Sequence, residues 1–164
     1  MTASNKNKSS KHEYLLMALG LIPFAVSATL LSLGINELFF IADLKKMIAL
    51  YSLVIVSFMA GVVWGINLLR PQQEIKQKTW LSYLASDRYF YLSNIVALLI
   101  WIIYWLAPDS QTFFVTSLLC FIYLLLIDRQ LCYLGVTDKA YLRARIIITA
   151  AVSVFLVLII YNMT

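Results

Sequence analysis

Charged residues are scarce in this sequence. Asp, Glu, Lys and Arg make up 13% of its 164 residues, whereas 62% of them are hydrophobic. Soluble domains carry roughly twice that share of charge, and a domain of this length could not bury so much apolar surface away from water. The composition therefore predicts an integral membrane protein. Too little chain remains outside the apolar runs to form a large catalytic domain.

Cysteine and histidine are almost absent. Cys120 and Cys132 lack Cys-x-x-Cys spacing, so we expect no disulfide scaffold. We expect no quinone-linked thiol oxidase either, because that enzyme needs paired cysteines on the outer side of the membrane, whereas Cys132 lies near the cytoplasmic end of the fourth run. The single histidine, His12, lies in the polar N-terminal tail, away from any buried metal site or catalytic triad. A glycine-rich phosphate loop is missing, and no acid interrupts the middle of an apolar run. We therefore expect no enzymatic activity, no metal and no cofactor.

Five apolar runs follow a polar tail, residues 1–13, which we expect to be disordered. A transmembrane helix needs about 20 residues, and the last two runs reach that length only with Asp128–Arg129 and Leu142–Arg145. We predict a single all-α domain, residues 14–164, with five transmembrane helices. The runs are Tyr14–Leu33, Met47–Leu69, Tyr89–Ala107, Thr112–Leu126 and Ile146–Tyr161.

The first run is a span rather than a secretory signal, because its apolar stretch exceeds the roughly 7–15 residues of such signals. It contains Pro23, which lacks an N–H and should kink the helix, with Gly20 easing the strain.

Lysine and arginine are distributed unevenly among the predicted loops. If all five runs cross the membrane, eleven of the 13 lie on the side of the N-terminus, and only Lys45 and Lys46 lie on the other. Basic loops stay in the cytoplasm. We therefore predict a multi-pass protein of the bacterial inner membrane, with a cytoplasmic N-terminus and an outer C-terminus. This topology accounts for the net charge of +5 without a nucleic-acid partner.

The second predicted loop contains a short amphipathic segment. Its apolar residues are spaced to share one side of a helix, and Lys76, Lys78 and Arg88 flank them. Such a segment either lies in the cytoplasmic headgroup layer or is a plain connector. The apolar residues are Trp80, Leu81, Tyr83 and Leu84.

The second run carries glycines and aromatic residues on one helical face, which we call the glycine face. Small residues recur there every four positions, a spacing that lets another helix approach closely. One interpretation is the central packing seam of the bundle, and the other is a ligand groove with aromatic walls. The face consists of Tyr51, Ser57, Phe58, Gly61, Trp64 and Gly65.

Charged residues gather at the cytoplasmic ends of the fourth and fifth runs. Charge near hydrocarbon is unfavourable unless paired, so Asp128 should pair with Arg143 or Arg145. Arg145, Thr149 and Ser153 would continue as a polar stripe along the fifth run. The cluster is either an ordinary interfacial ion pair or a site for an anion or lipid headgroup. Its members are Asp128, Arg129, Tyr141, Arg143 and Arg145.

Four segments resemble the family named domain of unknown function 3429, whose mitochondrial relatives include transmembrane protein 69. They are LGLIPF at Leu19–Phe24, YSLVIVSFMAGVVWG at Tyr51–Gly65, DR at Asp128–Arg129, and YLRAR at Tyr141–Arg145 followed by Thr149. Ala60 departs from the pattern, because glycine is more usual there. The resemblance implies a small multi-span inner-membrane protein and supplies no reaction.

Two functional hypotheses follow. The first is a non-enzymatic accessory or assembly partner of a membrane complex. It is based on the lack of catalytic groups, the small extramembrane mass and the close-packing seam expected on the second run. The second is a small transporter or lipid carrier that uses the glycine face and the Arg143/Arg145 end. A membrane enzyme would need Asp128 and Arg143 in one water-filled cavity. The expected partners are the lipid bilayer and either another membrane protein or further copies of this chain.

Overall fold

The computed structural model describes residues 17–37, 43–68 and 80–163. These residues form helices and contain no strand, which confirms the all-α prediction for the described part of the chain. The predicted tail, the start of the first run at Tyr14, and Lys76 and Lys78 lie outside the described residues. The helices are α1 (Ile22–Ser32), α2 (Leu44–Leu68), α3 (Trp80–Leu106), α4 (Gln111–Tyr133) and α5 (Lys139–Tyr161).

The chain before α1 is helical over residues 17–19 and turns at residues 20–21. Pro23 then occupies the first turn of α1, where its missing N–H is not needed. The helical segment is interrupted at residues 20–21, directly before Pro23, in the region where the sequence predicts a kink.

Two helices end in the same glycine motif. Gly34 and Gly135 have φ angles of 76° and 72°, a region that residues with a Cβ rarely adopt. After α1, the N–H of Ile35 donates to Leu30 O at 3.0 Å, and after α4, the N–H of Val136 donates to Leu131 O at 2.9 Å. These bonds define Schellman motifs, which satisfy the last carbonyl groups of the helices.

The beginnings of α2 and α4 are capped by side chains. The Lys46 N–H donates to Asp43 Oδ1 at 3.1 Å, and this bond holds the pKa of Asp43 below its usual value. The Phe113 N–H donates to Ser110 Oγ at 3.1 Å. Both caps stand outside the apolar segments and mark where helices begin.

The predicted headgroup segment is not a separate helix. Trp80 begins α3, which continues without interruption to Leu106. The backbone of Trp80, Leu81, Tyr83 and Leu84 therefore belongs to the same helix as the third apolar run.

The helices pack as a bundle with α2 and α4 at its centre. In this bundle α2 contacts α1, α3 and α4, whereas α5 contacts α1 and α4. Asn162 Nδ2 donates to Ser32 Oγ at 3.0 Å, which joins the C-terminal ends of α5 and α1. Lys46 Nζ lies 4.0 Å from Asp109 Oδ2, which joins the start of α2 to the loop before α4. All four residues therefore lie at one end of the bundle.

Within the described residues, three helices are long and apolar enough to cross a membrane: Leu44–Ile66, Gln111–Tyr133 and Lys139–Tyr161. The fourth and fifth runs thus reach spanning length by including their charged ends, as the sequence predicts. Two apolar helical segments are shorter: Met17–Ser32, which contains α1, and Tyr91–Leu106, which is the C-terminal part of α3. Large apolar side chains on the outside, including Trp105 and Ile147, fit contact with lipid. The protein is therefore a helical membrane protein.

Candidate functional site

The glycine face of α2 is open in the structure. A Cβ added at Gly61 or Gly65 would meet no atom of the described residues within 4 Å. Phe58 is 69% exposed and Trp64 is 42% exposed. Among the described residues, therefore, this face does not form the internal packing seam that one interpretation of the sequence expects.

The packing face of α2 lies on the other side of the helix. It also contains small residues, which is why the sequence pattern alone did not distinguish the two faces. Ala60, the position that departs from the family pattern, belongs to this buried face. Its members include Ala49, Ser52, Val56, Ala60 and Val63.

Tyr51 lies at the edge between the two faces and binds α1. Its hydroxyl donates to Gly20 O at 2.9 Å, in the turn before α1. Its ring packs edge-on against Phe24 with centroids 5.3 Å apart. Tyr51 thus anchors the turn that Pro23 follows.

Asp128 forms an ion pair with Arg145. Arg145 Nε donates to Asp128 Oδ2 at 2.7 Å, and the two residues are 7% and 1% exposed. Arg129 and Arg143 are exposed. The pair therefore joins α4 to α5 beneath the connection at residues 134–138, and each charge is buried with its counter-ion, the condition under which burial is tolerated.

A cavity of about 540 Å³ lies between α1, α2, α4 and α5, and we call it the bundle cavity. Its walls are mostly apolar, with aromatic rings from three helices: Phe24 of α1, Phe58 of α2 and Phe121 of α4. The volume falls within the roughly 300–1,000 Å³ typical of small-molecule sites.

One wall of the bundle cavity is polar. Tyr141, Arg145 and Thr149 line it from successive turns of α5, because residues four apart share a helix face. Ser153, the predicted continuation of this stripe, does not line the cavity, and its hydroxyl donates to Thr149 O at 2.7 Å. The polar stripe that lines the cavity therefore extends from Arg145 back to Tyr141, near the start of α5, and forward to Thr149.

Thr149 carries a buried hydroxyl without a partner. The residue is 3% exposed, and its Oγ1 has no hydrogen-bond partner among the described residues. Ser52 and Ser153, by contrast, donate to carbonyl groups of their own helices. Ser27 and Ser117 also have unpartnered buried hydroxyls in the described chain, but they do not line the bundle cavity.

The structure combines residues from two constellations that the sequence keeps apart. Phe58 of the glycine face and Tyr141 and Arg145 of the charge cluster line the same cavity. Sequence reasoning missed Phe24 and Phe121, since nothing in an apolar run distinguishes a ring in a cavity from one in a packed core. The spacing of Tyr141, Arg145 and Thr149 was the available signal.

The comparisons with known proteins identify a family and no relative of known structure. No curated protein and no solved structure matches the chain. The likeness to transmembrane protein 69 stays a prediction. The sequence model described as protein of unknown function (DUF3429) matches residues 9–161, nearly the whole chain, and the protein therefore belongs to this family.

Proposed function

We propose that this protein crosses the bacterial inner membrane five times and binds a small amphiphilic ligand in the bundle cavity. Binding or transport of that ligand, rather than catalysis, is its function. The observation that carries the proposal is the cavity itself, with aromatic and aliphatic walls on three helices and a polar stripe on α5.

The directions of the helices support five crossings. Lys46 at the start of α2 lies next to Asp109 before α4, so α2 and α4 begin at the same end of the bundle. Two spans that run in the same direction require a crossing between them, which is the role of α3. The short connections at residues 107–110 and 134–138 make α3, α4 and α5 alternate in direction.

The charges at the bundle ends support a cytoplasmic N-terminus. Arg129, Lys139 and Arg143 lie at the end where α4 meets α5. At the opposite end, Lys46 is accompanied by Asp43 and Asp109. Because basic residues favour the cytoplasmic side, the polar wall of the bundle cavity lies in the inner half of the membrane.

An amphiphile fits the bundle cavity better than a fully polar or fully apolar molecule. Phe24, Phe58 and Phe121 offer only apolar contacts, so a hydrocarbon chain is suited to that side. Arg145 and Thr149 offer hydrogen-bonding groups on the other side. Apolar cavities in proteins bind apolar molecules when these are supplied.

A matched pair of isoleucines tests the proposal. Ile148 lines the bundle cavity, whereas its neighbour Ile147 is 69% exposed on the outside of α5. The protein in lipid nanodiscs is irradiated with methyl laurate that carries a diazirine in its chain, and the labelled peptides are identified by mass spectrometry. We expect labelling near Phe58 and Phe121, strongly reduced by Ile148→Phe and unchanged by Ile147→Phe. Equal labelling of both variants would contradict a ligand in this cavity.

The accessory role remains a second candidate because the glycine face is open. A partner helix could pack against Gly61 and Gly65, since no described atom of this chain occupies that space. Gly61→Leu should then not lower the thermal stability of the isolated chain, but it should reduce the size of the complex extracted in mild detergent. An unchanged complex size would remove this candidate.

A further inference from the structure

We infer that the bundle cavity selects a ligand whose polar group is uncharged and accepts hydrogen bonds, such as the carbonyl of an ester, an amide or a quinone. This inference rests on the proposed function and names the class of its ligand. A carboxylate, sulfonate or phosphate is disfavoured, even though an arginine lines the wall.

The positive charge of Arg145 is already neutralised. Its Nε lies 2.7 Å from Asp128 Oδ2, and both side chains are almost fully buried. An anion in the cavity would place two negative groups around one guanidinium in a low-dielectric site, which is unfavourable for the uncompensated charge. Arg145 is the only Lys or Arg among the described residues that line the cavity, whereas Arg143 is exposed.

The polar wall is rich in donors. The hydrogen bond to Asp128 uses one of the five N–H donors of the Arg145 guanidinium. Tyr141 contributes a phenol, and Thr149 contributes the buried hydroxyl that has no partner in the described chain. A buried donor without a partner is unfavourable, so an acceptor oxygen that reaches Thr149 removes that penalty. A cationic ligand is disfavoured because no carboxylate of the described residues lines the cavity to neutralise it.

The apolar remainder of the cavity suits a single hydrocarbon chain. Rings of Phe24, Phe58 and Phe121 and the flexible side chain of Met59 form this part. Methionine adapts to irregular shapes, so chains of differing length can be accommodated. The polar group of the ligand, rather than its chain, therefore determines selectivity.

Competition among three compounds of matched chain length tests the inference. Unlabelled methyl laurate, dodecanesulfonate and dodecane are each added before irradiation with the diazirine probe in nanodiscs. We expect methyl laurate to compete best, because dodecanesulfonate is a permanent anion and dodecane lacks an acceptor. Thr149→Val should weaken competition by methyl laurate roughly three- to tenfold and leave dodecane unaffected. Thr149→Ser, which keeps a hydroxyl, should retain most of the preference.

Thr116→Val is the matched control, because Thr116 Oγ1 donates to Thr112 O at 2.9 Å and does not line the cavity. This variant should leave all three competitors unchanged. Stronger competition by dodecanesulfonate than by methyl laurate would overturn the inference and leave the proposed function intact. Equal competition by dodecane and methyl laurate would also overturn the inference and leave the proposed function intact. If no competitor displaces the probe from the cavity residues, both the inference and the proposed function are overturned.

Discussion

Arg145 contributes both to the contact between α4 and α5 and to the wall of the bundle cavity. Its Nε donates to Asp128 Oδ2 at 2.7 Å, which joins α4 to α5. The same side chain lines the bundle cavity, and its guanidinium has four N–H donors besides the Nε–H that Asp128 accepts. The helix contact and the ligand recognition that we propose therefore depend on the same side chain, and a change at Asp128 alters the charge of the cavity wall as well as the helix contact.

Breaking this pair should destabilise the protein more than removing it. Asp128→Asn leaves the cation of Arg145 buried alone, with an expected loss on the order of a few kcal/mol. Combined with Arg145→Gln, the loss should be smaller than the sum of the two single changes. The measurement is a double-mutant cycle of unfolding free energies in detergent. Arg143→Gln, at an exposed position, is the control and should change stability by about 0.5 kcal/mol or less. Additive effects of Asp128→Asn and Arg145→Gln would contradict the coupling.

At the scale of single residues, the sequence predicts that Asp128 pairs with an arginine of α5 but does not predict which one. Charge next to an apolar run requires neutralisation, which points to Asp128 and to an arginine at the start of α5. Arg143 and Arg145 lie roughly 200° apart around the helix axis. Only the way α5 packs against α4 decides which of them meets Asp128. The Thr149 hydroxyl has no partner in the part of the chain that the structure describes, and this depends on the same packing and has no signature in the sequence.

Helix α2 shows why faces are harder to predict than helices in membrane proteins. Its inward and outward faces are both apolar, since lipid is as apolar as the protein interior. Small residues occur on both, with Ala49 and Ala60 buried and Gly61 exposed. The bounds of α4 and α5 were predictable, because length and charge at the ends depend only on the local sequence.

Substitution by alanine should change the stability of the protein in opposite directions at a glycine after a helix and at a glycine inside one. Gly135 has a φ of 72° after α4, where a Cβ is strained, so Gly135→Ala should lower stability by about 1–2 kcal/mol. Gly61 lies inside α2 with open space around it, so Gly61→Ala should raise stability by up to about 1 kcal/mol. Unfolding free energies of the two variants in detergent check this. A loss of stability in Gly61→Ala comparable to that in Gly135→Ala would contradict the open face.

The whole molecule has two chemically different ends. One end joins Ser32 to Asn162 and Lys46 to Asp109. The other end carries the connection between α4 and α5, close to the Asp128–Arg145 pair. The bundle cavity has its polar wall toward this second end, because Tyr141 and Arg145 lie in the first two turns of α5. Membrane orientation therefore determines which aqueous side lies nearer to that wall.

Reporter fusions test this orientation. A reporter active only outside the cytoplasm should work after Thr164 and within residues 107–110, and should fail within residues 134–138 and near Lys78. The physical reason is the excess of Lys and Arg on the side of the N-terminus. A reporter active only in the cytoplasm, placed at the same four positions, is the control and should give the opposite pattern.

The insertion within residues 107–110 tests whether α3 crosses the membrane, and so distinguishes five crossings from four. Because α2 and α4 begin at the same end, an α3 that did not cross would leave the contact between Lys46 and Asp109 unattainable. Activity of the outside reporter there, together with inactivity near Lys78, requires that α3 cross the membrane between the two positions. If both positions report the same side, α3 lies along the membrane surface, and the arrangement of helices around the bundle cavity would have to differ from the one described.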